Sequence, residues 1–237
     1  MRTVTTSSDL QRVTPQILPA DDGEGDWVPS PISCLISAIG QHFREGVREA
    51  LVAAGAEAVS QGYRIGFQVV RDVCIRPFEG LGAMRNMAIL QALEERWDYV
   101  LLIDNDILME DSSVLWRLLG WHRMALTPLL DQSRVHSDGL WERVASPMYR
   151  PFQGLQQLDW VQTGCLLLHR SALELVGPRF FSDPLIVREE EYLFRQLRLH
   201  GIRLWQDTDA LVKMLESPTQ LWKVIGGHNP LAPDETA

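Results

Sequence analysis

The residues Trp97-Asp98-Tyr99-Val100-Leu101-Leu102-Ile103-Asp104-Asn105-Asp106 lie near the middle of the 237-residue chain. The consecutive apolar residues Tyr99 to Ile103 predict a strand that is buried on both faces, as in a parallel sheet covered by helices on each side. Asp104 and Asp106 follow directly. Both carboxylates are therefore predicted at the carboxyl edge of the sheet, where α/β proteins bind their ligands.

Strands and helices alternate around this segment. Strands are predicted at 32–36, 65–70, 165–169 and 202–206, and helices at 43–54, 83–95, 112–121, 171–176 and 189–200. Gly55 is expected to end the first of these helices, because glycine commonly follows a helix. The alternation predicts an α/β Rossmann-like layered domain, with a mostly parallel central sheet flanked by helices. Residues 127–159 show no sustained period and are interpreted as a long functional insertion.

The ends of the chain differ in composition from its middle. Residues 1–30 are polar, acidic and proline-containing, and predict a weakly ordered leader. A single domain is expected over 31–229, divided into 31–126 and 127–229, followed by a frayed tail at 230–237.

Composition limits the classes of partner and compartment. The formal net charge is −9, which makes a nucleic acid an unlikely default partner because phosphate contacts need lysine and arginine. Cys34, Cys74 and Cys165 lie far apart in apolar runs, so buried free thiols in a reducing compartment are expected. Since neither a secretory signal nor a membrane-spanning run is found, a soluble cytoplasmic protein is predicted.

The Asp104-Asn105-Asp106 triplet has two readings from its chemistry. Two carboxylates separated by one residue can offer hard oxygen ligands to Mn²⁺ or Mg²⁺, which also hold diphosphate oxygens. The alternative is a solvated turn whose aspartate caps the next helix. Arg85 could hold phosphate oxygens with its guanidinium, or could be a surface arginine at a helix start. Asn86 could be only a cap.

Three blocks together resemble GT-A fold glycosyltransferases of the family 2 type. They are Arg85-Asn86 with the strand that ends in Asp104-Asn105-Asp106, then Val161-Gln162-Thr163-Gly164-Cys165-Leu166-Leu167-Leu168-His169-Arg170, then Glu190-Glu191-Tyr192-Leu193-Phe194 to Gly201. The resemblance covers about 32–215 and implies a metal-dependent hexosyltransferase. Such an enzyme moves a sugar from a UDP- or GDP-linked donor to a hydroxyl acceptor. A carboxylate base would give inversion, although retaining enzymes share the same donor architecture.

The resemblance assigns the donor to the first half of the domain, 31–126. Asp104 is implied in ribose or metal contact, and Asp106 in direct metal coordination. Arg85 and Asn86 are implied near the diphosphate, and Asp72 near the nucleoside base, although a turn aspartate is an alternative for Asp72.

The chain departs from the family at one expected metal ligand. Many members have a histidine shortly after the last strand, where this chain has Met214, a poor ligand for a hard cation. His228, between glycines and a tail, is the candidate replacement. The alternative is that His228 is simply exposed.

Catalysis in the family uses a carboxylate that removes the acceptor proton. Glu191 aligns with that residue, which is usually aspartate, and Glu190 and Glu189 are alternatives. All three could instead complement the dipole at the helix N-terminus.

The acceptor is implied in the second half, 127–229, beside Trp160, Gln162, Thr163 and Gly164. Trp141 and Trp160 could flank a saccharide. The insertion also carries Arg134, His136, Arg143 and Arg150, which would suit a phosphorylated acceptor or a hydroxylated DNA base. A saccharide or small molecule is the expected acceptor, since scattered basic residues are usually solvated.

Two other functional classes are compatible with parts of the pattern. Phosphatases with an aspartyl nucleophile also end a strand in Asp-x-Asp, but near the domain start and before a small residue, whereas Ile107 follows here. A non-catalytic sugar- or nucleotide-binding module is the other class.

Overall fold

The computed structural model describes residues 31–40, 43–70, 81–131, 133–135, 141–143, 153–159, 164–177, 180–181 and 189–215. The strands are β1 (Ser33–Ile39), β2 (Arg64–Val70), β3 (Tyr99–Asp104), β4 (Ile107–Leu108), β5 (Ala125–Asp131), β6 (Ser133–Val135), β7 (Trp141–Arg143), β8 (Leu155–Leu158), β9 (Cys165–His169) and β10 (Leu204–Met214). The helices are α1 (Val47–Ser60), α2 (Leu81–Glu94), α3 (Val114–Gly120), α4 (Arg170–Val176) and α5 (Glu189–Leu199). Within these residues, no helix is long and apolar enough to cross a bilayer.

The central sheet is mixed, with strand order β2-β1-β3-β9-β5-β10-β4, and β8 also pairs with β10. Strands β1, β2 and β3 are mutually parallel, and β10 is parallel to β5. Strand β9 runs antiparallel to both β3 and β5, so it joins the two parallel groups. A short hairpin pair, β6 and β7, forms a second sheet.

Strand β3 is buried on both faces, as its unbroken apolar run predicts. Leu101 and Ile103 belong to a core cluster that also contains residues of α1 and α3. Val100 and Leu102 belong to a second cluster, which contains residues of α2, α4 and α5. The α/β fold class with a helix-flanked central sheet is therefore confirmed.

Helix α1 corrects one predicted boundary. Gly55 does not end the helix, which continues to Ser60. Gly55 is buried in the middle of α1, where an added Cβ would overlap the ring of Phe67 on β2. The glycine therefore allows close packing of the helix on the sheet, and α1 begins at Val47 rather than at residue 43.

The predicted insertion at 127–159 is partly regular structure. Strand β5 extends through Pro128 to Asp131 within the main sheet, and β8 pairs with β10. Proline lacks an N–H and usually marks the end or edge of a strand, which is why the sequence pattern fails there. Strand β5 also crosses the expected division between 126 and 127.

Strand β10 continues beyond its predicted end at residue 206, to Met214. Its register against β5 shifts between Asp207 and Leu211. The side chain of Asp207 is fully buried and accepts hydrogen bonds from the Trp121 indole N–H at 2.9 Å and from the Asp209 amide at 3.0 Å. Arg117 lies 3.5 Å from its Oδ2. The polar composition of this stretch is typical of a loop, but its residues stabilise the register shift within β10.

The predicted burial of free thiols is confirmed for the two cysteines that the structure describes. Cys34 and Cys165 are buried free thiols. Burial raises the pKa of both thiols, because an apolar environment disfavours the thiolate.

Candidate active site

The carboxyl edge of β3 is fixed by both of its neighbours. The Asp104 amide donates to the Gly164 carbonyl just before β9, at 2.9 Å. The next amide, of Asn105, donates to the Ile39 carbonyl at the end of β1, at 3.0 Å. The predicted acidic triplet therefore begins at the edge of the central sheet, as the sequence predicts.

Asp104 is paired with a buried arginine. Nη2 of Arg85, on the first turns of α2, donates to Oδ1 and Oδ2 of Asp104 at 2.8 and 2.9 Å. The Arg85 side chain is only 2% exposed, and that of Asp104 is 22% exposed. The ion pair stabilises the Asp104 carboxylate in its charged form and fixes the direction of its oxygens.

Asp106 lies in a more weakly compensated environment. Partial burial raises the pKa of its carboxyl, while the charges of Arg44 and Arg85 lower it. The Asp106 carbonyl accepts from the Leu215 amide at 2.8 Å, and the Asn105 carbonyl accepts from the Arg44 amide at 3.2 Å. The triplet is thus held between the segment after β1 and the end of β10.

Two glycines shape this edge. Gly40 has φ 134°, and a Cβ there would lie 2.5 Å from Cγ of Asn105. At Gly164, a Cβ would lie 3.1 Å from Cδ1 of Ile107 and 3.7 Å from Oδ2 of Asp104. The structure therefore places Gly164, predicted on the acceptor side, directly against the acidic triplet. Because residues 40 and 164 are both glycines, neither has a side chain that fills the space beside the triplet.

Asn86 lies next to Arg85 but contacts another segment. Its side-chain amide donates to the Phe181 carbonyl at 2.9 Å, and its Oδ1 accepts from the amides of Phe180 and Phe181 at 3.1 and 3.0 Å. The Phe181 ring lies 5.4 Å from the Arg85 guanidinium carbon. The two predicted donor residues thus fix the segment before α5 against α2.

Met214 occupies the expected place near the acidic triplet. It pairs in the sheet with Ile107, the residue after Asp106, and its side chain packs against the core. The position is reached by strand β10 itself, whereas the sequence suggests a stretch after the last strand.

Glu191 is the described member of the predicted catalytic glutamates. It lies in the first turn of α5 with an exposed side chain. The helix is anchored below it by Leu193, Phe194 and Leu197, which are buried in the second core cluster. The side chains of Glu189 and Glu190 lie outside the described part of the structure.

Several predicted site residues also lie outside the described residues, and nothing in the structure places them: Asp72, Trp160, Gln162, Thr163 and His228. Within the described part of the chain, no group of three or more His, Cys, Asp or Glu residues could hold a metal ion. The two described carboxylates, those of Asp104 and Asp106, offer hard oxygen ligands for a metal ion at the carboxyl edge of β3. They fit Mn²⁺ or Mg²⁺, which complete their coordination with substrate oxygens and water.

Arg44 is the residue that sequence reasoning misses. It belongs to none of the recognised blocks, yet its backbone contacts Asn105 and its charge acts on Asp106. Only its position shortly after the first predicted strand could have indicated it, because the carboxyl ends of parallel strands share one edge.

The chain has a GT-A type fold, as its similarity to solved structures shows. The chain is similar to the catalytic domain of Drosophila β1,4-galactosyltransferase 7 in complex with xylobiose, with a TM-score of 0.52 and 16% identity, over 80% of this chain and 73% of that one. A mutant of that enzyme, in complex with manganese, UDP-Gal and xylobiose, has a TM-score of 0.51 and 16% identity to this chain. The match covers 80% of this chain and 73% of that one.

GalNAc-T7 with UDP, GalNAc and Mn²⁺ gives a TM-score of 0.49 and 12% identity, over 78% of this chain and 44% of that chain. No model of a known protein family matches the chain. No curated protein matches it either.

Proposed function

We propose that this protein is a glycosyltransferase, which moves a sugar from a nucleoside diphosphate donor to a hydroxyl group of an acceptor with the help of a divalent metal ion. The observation that carries the proposal is the placement of Asp104 and Asp106 at the carboxyl edge of β3, with the Arg85 guanidinium bonded to Asp104 at 2.8 Å. The GT-A fold supports it. A solved structure of similar fold, that of the mutant galactosyltransferase, contains UDP-Gal and manganese.

The two carboxylates receive different roles. Following the family resemblance, we assign ribose or metal contact to Asp104, whose carboxylate is oriented by Arg85, and direct metal coordination to Asp106. A bound Mn²⁺ or Mg²⁺ would neutralise the charge that develops on the leaving diphosphate. His228 is the proposed further ligand, because Met214 at the end of β10 cannot coordinate a hard cation well.

The remaining donor contacts follow from charge and position. Arg44 and Arg85 place positive charge beside the triplet, which favours a diphosphate at this edge. Asp72, which follows β2, is proposed to contact the nucleoside base of a UDP- or GDP-linked sugar. Asn86 supports this half indirectly, by holding Phe180 and Phe181.

Proton removal from the acceptor is assigned to Glu191, with Glu190 as the alternative. An exposed carboxylate on a helix that is anchored in the core can accept a proton from a hydroxyl within hydrogen-bond reach. Attack opposite the departing diphosphate would invert the sugar carbon. The acceptor, a saccharide or small molecule, is proposed to lie beside Gly164 with Trp160, Gln162 and Thr163.

Donor binding is tested by thermal unfolding of the full chain with UDP, GDP, UDP-sugars and GDP-sugars, each with and without Mn²⁺. A ligand of the folded state must raise the melting temperature. We expect a metal-dependent rise with at least one nucleotide, and its loss in Asp106→Asn. Glu110→Gln is the matched control, since Glu110 is exposed and four residues away. If no nucleoside diphosphate raises the melting temperature with metal, the proposal is wrong.

Catalysis is tested separately from binding. Once a donor is identified, Glu191→Gln should abolish transfer and donor hydrolysis while the metal-dependent rise in melting temperature remains. Glu94→Gln, exposed at the end of α2, should retain full activity. Binding without turnover in the unmodified chain would favour a non-catalytic sugar- or nucleotide-binding module, and full turnover in Glu191→Gln would move the base to Glu190.

A further inference from the structure

Strand β2 is the outer strand of the central sheet. It is terminal in the order β2-β1-β3-β9-β5-β10-β4, and within the described residues nothing pairs with its outer side. Such an edge presents unpaired N–H and C=O groups, which natural proteins usually protect with lysine, proline or a covering element. The sequence of β2, Arg-Ile-Gly-Phe-Gln-Val-Val, contains none of these residues along its length.

Exposed apolar side chains concentrate on β2 and on the two helices that flank it. Of the eight large hydrophobic residues that are exposed in the described part of the chain, six lie on α1, β2 and α2: Val52, Val59, Phe67, Val69, Met87 and Leu90. Val52 is 54% exposed and Phe67 is 52% exposed. Apolar side chains that cluster on neighbouring elements, rather than being scattered singly over the surface, commonly mark an interaction site.

The exposed apolar residues of α1 and β2 approach one another at Gly55. Val52, Gly55 and Val59 share a stripe of the helix, since residues three and four apart are neighbours. The Phe67 ring lies against Gly55, the residue between the two valines along this stripe of the helix. Ala53 and Ala56 are exposed beside this stripe, so the middle of α1 is apolar on its outer side, while Arg48 and Glu49 are exposed in its first turn.

Positive and negative charges balance on α1 and β2, although the chain as a whole is acidic. Helix α1 carries Arg48, Glu49 and Glu57, and Glu57 accepts hydrogen bonds from Ser112 and Trp116. On β2 the charged residue is Arg64, whose guanidinium lies over the Trp97 ring at 4.5 Å. These two elements together therefore carry no formal net charge. Two copies, each with net charge −9, would meet with the least repulsion here.

We infer that this edge is the interface of a homodimer, in which β2 pairs antiparallel with β2 of a second copy. An exposed strand edge is complementary to itself in the antiparallel orientation, and a twofold axis normal to the sheet satisfies this pairing. The same axis brings α1 alongside α1 of the second copy, on one face of a continuous sheet. Val52 and Val59 then lie at the centre of the contact, and the apolar residues of α2 extend it on the opposite face.

The inference is tested with the full chain by sedimentation equilibrium over a range of micromolar concentrations. We expect a reversible species of twice 26.9 kDa. Hydrogen exchange at the β2 amides should slow as the dimer fraction rises, because the new ladder protects them. A mass of one chain throughout, with β2 exchange independent of concentration, would overturn the inference.

Substitutions locate the interface. The double variant Val52→Arg/Val59→Arg introduces charges that enter a twofold interface twice, so the dissociation constant should rise at least about tenfold. Both side chains are more than half exposed, so the fold should tolerate the change. Leu199→Arg, at a 68% exposed residue on α5, is the control and should leave the dimer intact.

Two outcomes of the variant experiments contradict the inference. A dimer that survives the double variant unchanged would place the interface elsewhere. A chain that stays monomeric but co-sediments with phosphatidylcholine vesicles, and loses this in the double variant, would show that this edge binds lipid rather than a second copy.

Discussion

Nη2 of Arg85 is bonded to both carboxylate oxygens of Asp104, at 2.8 and 2.9 Å, in a part of the molecule where the arginine side chain is almost fully buried. The pair ties the start of α2 to the end of β3. It belongs to the scaffold and to the candidate site at once, so its removal should affect both stability and ligand binding.

Arg85→Met should lower the free energy of unfolding by about 2–4 kcal/mol, since the change leaves a partly buried carboxylate without its partner. Urea denaturation of the variant and of the unmodified chain measures the difference. Arg48→Met, at an exposed position on α1, is the control and should stay within about 0.5 kcal/mol. A loss below about 1 kcal/mol at Arg85 would mean that the pair contributes little to the fold.

Asn86→Ala should lower the free energy of unfolding by about 2–3 kcal/mol, because three hydrogen bonds to the backbone of Phe180 and Phe181 are lost. Gln91→Ala, which removes one exposed bond on the same helix, should change it little. Urea denaturation of both variants and of the unmodified chain measures the two changes in unfolding free energy. Equal effects of the two substitutions would contradict the anchoring role of Asn86.

Gly40→Ala should perturb the acidic triplet more than Gly62→Ala does. Both glycines have positive φ, 134° and 92°, so both alanine variants carry backbone strain of about 1–2 kcal/mol. Only at Gly40 does the new Cβ meet another group, Asn105. We expect a larger loss of stability and a weaker metal-dependent shift in melting temperature for Gly40→Ala. Indistinguishable variants would show that Asn105 moves aside freely.

Stability should fall in acid through His169. Burial lowers the pKa of its imidazole below the ordinary 6.5, and Nδ1 accepts from the Ser171 amide at 3.1 Å to cap α4. The unfolded chain therefore binds a proton more readily than the folded chain. The contribution of the neutral ring is present above pH 6.5 and is lost as the pH falls through 6.5 towards the folded pKa.

His169→Asn keeps a capping acceptor without a titrating group. The difference in unfolding free energy between about pH 7.5 and about pH 5.5 should be smaller in this variant than in the unmodified chain. His200→Asn is the control, since His200 is exposed at the end of α5 and is not among the groups that shift the pKa of His169. A wild-type pH dependence in His169→Asn would assign the effect to another group.

The parts of the fold that follow from local pattern are predicted from the sequence. The apolar run at 99–103 specifies a strand buried on both faces, and the position of Asp104 at its end is confirmed. The sequence does not predict that β5 runs through Pro128, or that β10 runs through Asp207 and Asp209. At these positions tertiary contacts override a loop-like composition.

The candidate site is also predicted only in part from the sequence. Sequence spacing indicates which residues approach the carboxyl edge, but not which of them pair with one another. Arg85 bonded to Asp104, Asn86 bonded to the segment at 180–181, and Arg44 beside Asp106 all depend on how distant segments pack. The catalytic and acceptor assignments remain predictions from resemblance.

Strand β10 is among the last described segments of the chain, yet it lies between β5 and β4 inside the sheet. A ribosome would deliver β1 to β5 long before β10, the strand that joins β4 to β5, and long-range pairings of this kind form slowly. The Leu215 amide that bonds to the Asp106 carbonyl arrives later still. A nascent chain would therefore present β3 and its acidic edge before β10 has been synthesised, and ligand binding at that edge would report that β10 has joined the sheet.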